Sequence, residues 1–209
     1  DLEPFGGEGR PFKIMECSIK RYPLGQYSQT VVQAALEVRQ QLPDVKDIAE
    51  VKIETLDKAV GIMAGDPEKW RPANRETADH SMPYAVGVAL TYGSVGQEHF
   101  APEYLANEEL LDLVGKVKVE VSEEANRRAP EAMLCRLEVV TGSGQRFSSE
   151  VAYHKGHYKD PLTDAELSEK FRAQCGGLLP EARANALLDR LWRLDTVEEM
   201  EEVLRLTKV

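Results

Sequence analysis

Asn74-Arg75-Glu76-Thr77-Ala78-Asp79-His80-Ser81-Met82-Pro83-Tyr84 runs without a break into Ala85-Val86-Gly87-Val88-Ala89-Leu90, so a dense polar segment is joined directly to an apolar one. The apolar half predicts a helix. Ser81 suits an N-cap, Pro83 is tolerated in a first turn that lacks intrahelical partners, and Gly93 supplies a stop after Tyr92. A helix apolar on every side belongs in a core, so its start is rigidly held. Such an end carries partial positive charge and N–H donors, a setting for a carboxylate or a phosphate. The plain alternative is that Asp79 and Ser81 only cap a core helix.

Upstream, Lys20-Arg21-Tyr22-Pro23-Leu24-Gly25 packs a basic pair and a tyrosine into a Pro- and Gly-bounded loop, and Val31, Ala34, Ala35, Val38 and Leu42 then recur at helical spacing as far as Pro43. Ile48 to Thr55 alternates as a half-buried strand, with Val51, Ile53 and Thr55 opposite Glu50, Lys52 and Glu54. Short helices are expected over 56–63 and 107–114. Val117, Val119 and Val121 mark a second strand, and Cys135-Leu137-Val139 with Arg146 to Ala152 make a hairpin turned by Thr141-Gly142-Ser143-Gly144. From Pro161 onward the pattern is helical. Thr163-Asp164-Ala165-Glu166 and Thr196-Val197-Glu198-Glu199 both have capping-box form, and Leu187, Leu188, Leu191, Trp192 and Leu194 form an apolar stripe that needs a partner surface. The fold class is α+β: a mixed or antiparallel sheet of about four strands with helices, followed by an all-helical C-terminal tail. The expected division is 1–12 linker or cut edge, 13–160 α+β domain and 161–209 C-terminal helices.

A chain of 209 residues with 42% hydrophobic residues can bury a full core, and a net charge of −10 disfavours nucleic acid or an anionic membrane as a partner. No apolar run approaches the roughly 18 residues of a membrane span, and Asp1-Leu2-Glu3-Pro4 lacks the character of an export signal. The expected location is the cytoplasm, or the mitochondrial matrix in a eukaryote. Cys17, Cys135 and Cys175 are odd in number and scattered, so neither a disulfide framework nor an iron–sulfur or zinc site is suggested.

His154-x-x-His157 could present two metal ligands on a helix, but Gly156 lies between them and strand-like residues precede them. No metal and no cofactor is expected. Gly6-Gly7-Glu8-Gly9 lacks the strand and the lysine of a phosphate loop and reads as a hinge, and Ser143 between glycines is a turn residue. Lys20 beside Arg21 can bind a carboxylate, and a neighbouring cation lowers an amine's pKa. The alternative is a solvated basic loop.

Taken together, Lys20-Arg21-Tyr22-Pro23 with Ser28-Gln29, then Arg75-Glu76-Thr77-Ala78-Asp79-His80-Ser81-Met82-Pro83-Tyr84, then Lys159-Asp160-Pro161-Leu162-Thr163 with Lys170-Phe171, resemble the MmgE/PrpD family in order and spacing. The resemblance implies a cofactor-independent lyase that dehydrates 2-methylcitrate or a related tricarboxylate in propionate catabolism. Decarboxylation or epimerisation of a related polycarboxylate is the alternative within the family, and a non-catalytic subunit that binds polycarboxylates or a partner is the alternative outside it. It further implies that residues 13–160 are a lid, that the C-terminal helices rejoin a larger helical domain not contained in these residues, and that the protein forms a homo-oligomer, a dimer in the simplest case. By the same resemblance Lys20 and Tyr84 are the catalytic candidates, lining one cleft, with Arg21, Arg75, Asp79, His80 and Ser81 beside them as substrate-binding groups. Tyr27 stands where dehydratase-like members tend to carry histidine, a departure that bears on the reaction.

Overall fold

The computed structural model describes residues 5–208. The first four residues of the expected linker therefore lie outside the described part. Within the remainder of it, Gly7 and Arg10 exchange backbone hydrogen bonds at 3.1 and 3.0 Å and Lys13 N–H donates to Phe5 C=O, which folds the glycine run into a small turn.

Contacts divide the chain into two compact units, Asp1–Pro161 and Leu162–Val209. The first is built on four strands: β1 (Ile48–Thr55), β2 (Val117–Val121), β3 (Cys135–Thr141) and β4 (Arg146–Val151), in the order β2-β1-β3-β4. β1 pairs in parallel with β2 and antiparallel with β3, and β3 with β4 is the expected hairpin, so the sheet is mixed and the class is α+β. A parallel pair needs a long crossover. Here it holds α2 (Asp57–Met63), α3 (Arg75–Asp79), α4 (Met82–Tyr92), α5 (Pro102–Leu105) and α6 (Glu108–Val114), and so the stretch that carries the polar motif. Helix α1 (Gln29–Arg39) precedes the sheet and α7 (Glu123–Arg128) follows β2.

One face of the sheet is apolar because Val51, Ile53, Leu137 and Val139 alternate onto it, and α1 lays Val31, Val32, Ala34, Ala35 and Val38 against β3 and β4. Helix α4 packs against α1 and α6 and reaches β2, which is why it has no polar face; every residue from Met82 to Leu90 is buried. It starts at Ser81, whose hydroxyl takes the Tyr84 N–H at 3.1 Å, and stops at Gly93, whose φ of 69° is the left-handed conformation that a glycine adopts without steric cost. The opposite sheet face is a lattice of ion pairs: Lys52 with Glu54 and Glu120 at 2.8 and 3.1 Å, Arg136 with Glu124 and Glu150 at 2.6 and 2.5 Å, and Arg146 with Glu138 at 2.6 Å. Exposed pairs contribute at most about 1 kcal/mol each, so that face solubilises the sheet more than it stabilises it.

The second unit holds α8 (Asp164–Cys175), α9 (Glu181–Leu191) and α10 (Met200–Leu206). Thr163 and Glu166 form the expected capping box at the start of α8. The second expected box does not form. Thr196 ends a 3-10 turn and donates its hydroxyl back to Arg193 C=O at 2.8 Å, and α10 begins only after Glu199, which offers no side-chain cap. Of the apolar stripe, Leu187 and Leu188 are buried, whereas Leu191, Trp192 and Leu194 stay exposed together with Met200 and Leu204.

Candidate active site

The polar run is itself helical, a feature not expected from its composition. Asn74 Oδ1 accepts the Thr77 N–H at 2.9 Å and caps α3, which ends at His80; one residue later Ser81 starts α4. Two helices thus abut at His80. Its Nδ1 stands 2.6 Å from Asp79 Oδ1 and 3.8 Å from Glu76 Oε1, and its side chain is 45% exposed. A carboxylate can only accept, so Nδ1 carries a proton toward Asp79 and Nε2 is left as the ring atom able to take or give one.

The Lys20 loop is brought to this joint. Gly25 N–H donates to Asp79 C=O at 3.0 Å, and the approach is so close that a Cβ on Gly25 would sit 2.7 Å from Met63 Cε and 3.5 Å from His80 Cδ2. A third segment closes on the same loop: Ile19 N–H donates to Gly156 C=O at 2.8 Å, and Gln26 Nε2 meets His154 Nε2 at 3.0 Å. From α1, the buried Gln29 side chain accepts the Tyr22 N–H at 3.1 Å and donates to Tyr22 C=O at 3.0 Å. Burial pushes the Tyr22 phenol above its usual pKa, with Arg21 opposing. Lys20 itself is exposed and has no ion pair among the described residues.

Of the residues singled out from the sequence, then, Asp79 and His80 share one junction with the loop that carries Lys20 and Arg21. Three others are placed elsewhere. Arg75 is exposed at the start of α3 and reaches Gln97 Oε1 at 3.4 Å. Ser81 is buried, and its hydroxyl both accepts from Tyr84 N–H and donates to Lys69 C=O. With Pro83 lacking an N–H and the Ala85 N–H bonded to Ser81 C=O, the first-turn donors of α4 are largely used within the fold, so the plain capping role of Ser81 is the observed one. Tyr84 does not face a cleft: it is 0% exposed and donates its hydroxyl to His99 C=O at 2.7 Å, beside Phe100. Burial raises its phenol pKa, which suits a permanent donor. Tyr84→Phe is accordingly expected to cost about 1–3 kcal/mol of stability by leaving a buried carbonyl unpaired, and to leave kcat/KM within about twofold. Thermal melts beside kinetics check both halves.

Gln26, Gln29 and His154 hold the loop and were not singled out for that work. Gln29 stands in the first turn of α1 directly ahead of the buried Thr30, Val31 and Val32, which was the available signal for it; nothing local marks Gln26. The His154–His157 pair is not a helical metal motif, since both lie in a looped segment in which Gly156 N–H donates to Asp160 C=O at 2.8 Å. Among the described residues, Glu76, Asp79 and His80 are grouped closely enough to offer three ligand atoms, but His80 Nδ1 is already bonded to Asp79 and two of the three groups border on or lie in solvent. Cys135 is buried in β3, which pushes its thiol pKa well up, and Cys17 is exposed far along the chain from it.

Two of the segments on which the sequence resemblance rests, 20–29 and 75–84, meet here, and the model of the MmgE/PrpD C-terminal domain matches residues 22–194. This chain belongs to the MmgE/PrpD family. The match begins at Tyr22, so Lys20 and Arg21 lie just ahead of it. Curated relatives include the cis-aconitate decarboxylases of Homo sapiens, 24% identical over 198 residues, and Mus musculus, 25% over 137 residues. The cis-aconitate decarboxylase-like protein oryM of Aspergillus oryzae is 25% identical over 183 residues. These alignments cover 92%, 66% and 84% of this chain but 40%, 28% and 37% of those proteins, so the chain spans less than half the length of the MmgE/PrpD relatives it matches.

Proposed function

We propose that this chain is the C-terminal part of a cofactor-independent lyase acting on a small tricarboxylate, and that the preferred reaction is decarboxylation of a cis-aconitate-like acid. The observation that carries the reading is the Asp79–His80 pair, held at 2.6 Å beside the Lys20–Arg21 loop. Loss of carbon dioxide leaves an electron pair on carbon, so it needs a cation or donor where that charge develops and an acid that returns a proton. Lys20 and Arg21 bind a substrate carboxylate in this reading; His80, oriented by Asp79, moves the proton at Nε2. The decarboxylase activity by which the relatives are known and the tyrosine at position 27 favour decarboxylation. Dehydration of 2-methylcitrate is the second reading, favoured by the likeness of residues 75–84 to that branch.

The exposed apolar side chains of 162–209, Leu191, Trp192, Leu194, Met200 and Leu204, are where the helical remainder of the protein would dock, and a homo-oligomer with a location in cytoplasm or mitochondrial matrix completes the proposal. No helix among the described residues is long and apolar enough to cross a membrane.

Product analysis tests the reaction. The full-length protein is incubated with cis-aconitate, 2-methylcitrate and citrate, and products are separated by chromatography. Carbon dioxide release from cis-aconitate is expected; water loss from 2-methylcitrate alone would favour the second reading, and binding without turnover would leave only the non-catalytic one. These 209 residues by themselves are expected to be inactive, and turnover of ~1 s⁻¹ or more from them would overturn the need for the remainder.

A further inference from the structure

Gln26 and His154 are 128 positions apart in sequence and meet side chain to side chain. His154 is 1% exposed, and its Nδ1 lies 2.9 Å from the carbonyl oxygen of Lys155. That oxygen can only accept, which assigns the proton to Nδ1 and makes Nε2 the acceptor of the Gln26 amide N–H at 3.0 Å. The neutral ring is therefore used at both nitrogens. The neighbouring residues add two ties: Lys155 N–H donates to Gln33 Oε1 on α1 at 2.7 Å, and Gly156 C=O accepts the N–H of Ile19, the residue before Lys20. With Gln29 holding Tyr22 from the other side, residues 19–28 are fixed at several points while the Lys20 side chain remains in solvent.

We propose that His154 is a positioning residue: its neutral imidazole fixes the 19–28 segment through Gln26, so that Lys20 and Arg21 meet the substrate in one geometry. The proposal rests on the reading of that loop as a substrate contact. The charged groups around the ring do not all act in one sense. Asp160 favours the imidazolium, His157, edge-on with its centroid at 5.9 Å, is a further titratable neighbour, and Lys155 is paired to Asp160 at 3.0 Å. α1 turns the neutral Gln33 toward this loop, and its Glu37 is hydrogen-bonded to Ser149 on β4. Burial outweighs Asp160 and lowers the pKa of His154 below the ordinary histidine value. The Gln26 bond therefore contributes its full stability above about pH 6.5, where the ring is neutral in folded and unfolded chains alike; that contribution declines below this pH, and the bond itself is broken only when the folded ring takes a proton at its lower pKa.

Two measurements test this. In the present chain, nitrogen NMR should show the Nδ1–H neutral tautomer of His154 at pH 7. Amide exchange at Ile19 and Gln26 should quicken by about tenfold or more in His154→Ala, with Val51 in β1 unchanged and His154→Gln restoring protection, since its amide can again pair with Gln26. In the full-length protein, His154→Ala should lower kcat by about tenfold or more with little change in KM, and His154→Gln should keep activity while losing the acid limb of the wild-type pH profile. A charged ring at pH 7, an Nε2–H tautomer, or unaltered exchange at Ile19 and Gln26 in both variants overturns the proposal, and the Val51 amide together with His154→Gln separates it from simple unfolding. Quickened exchange in a protein indifferent to Lys20→Ala would instead overturn the reading of the loop as a substrate contact. Unaltered exchange in a protein inactivated by Lys20→Ala would remove His154 alone.

Discussion

Replacing Lys20 by alanine in the full-length protein is expected to lower kcat/KM by at least about 10²-fold, close to 3 kcal/mol of transition-state stabilisation, and to leave the thermal melt unmoved. Both halves have a structural cause. The side chain is exposed and makes no ion pair among the described residues, so removing it takes nothing from the core. Its backbone, by contrast, follows Ile19 and precedes Tyr22, which are bonded to Gly156 and Gln29, so the cation is presented on a fixed loop beside the Asp79–His80 pair. A fixed charge stabilises developing negative charge better than a mobile one, because little reorganisation is left for the reaction step. Lys20→Arg should recover part of the loss, since the charge returns on a longer, planar head. Near-normal activity for Lys20→Ala, or activity lost only with the melt, would make Lys20 a solvated loop residue and remove the cationic part of the site.

The strands were legible because each obeys a rule that neighbours in sequence decide. Val51, Ile53 and Thr55 alternate with charged residues, and the observed β1 has the expected bounds, Ile48–Thr55. The parallel pairing of β1 with β2 was not legible: it depends on the crossover through α2 to α6, and alternation is the same in either direction. Helix α4 was read from Ser81 and Gly93, both local signals. The second capping box does not form because α10 starts at Met200, after Glu199, leaving Thr196 too far ahead to cap it, and the Thr196 hydroxyl donates back to Arg193 C=O. For the site, the sequence offered residue types without directions. Tyr84 and His80 are four apart, yet the first turns into the core to reach His99 and the second pairs with Asp79, because His80 caps the end of α3 whereas Tyr84 lies in the first turn of α4. The Gln26–His154 contact joins two segments whose local patterns carry no trace of one another.

Val86→Asp is expected to unfold the Asp1–Pro161 unit, the largest stability effect of the set. Val86 is 0% exposed in the middle of a helix whose flanking residues, Ala85, Gly87, Val88 and Ala89, are buried and apolar or without a side chain, so a carboxylate there finds no donor. An unpaired charge in such a place costs more than about 4 kcal/mol, a large share of the 5–15 kcal/mol by which a domain is stable. The melt should fall by roughly 8–16 °C or lose its cooperative transition altogether. Val86→Ala, which removes two methyl groups and buries no polar atom, should fall between that variant and the wild type. An unchanged melt for Val86→Asp would mean that α4 is not the centre of the core. The activity measured beside the melt separates this helix from the loop it supports: α4 is anchored by Ser81 one residue after His80, so its displacement carries the Asp79–His80 pair away from Gly25 and stability and turnover fall together. With Lys20→Ala they part, because the lysine is held by the fold and contributes nothing to holding it.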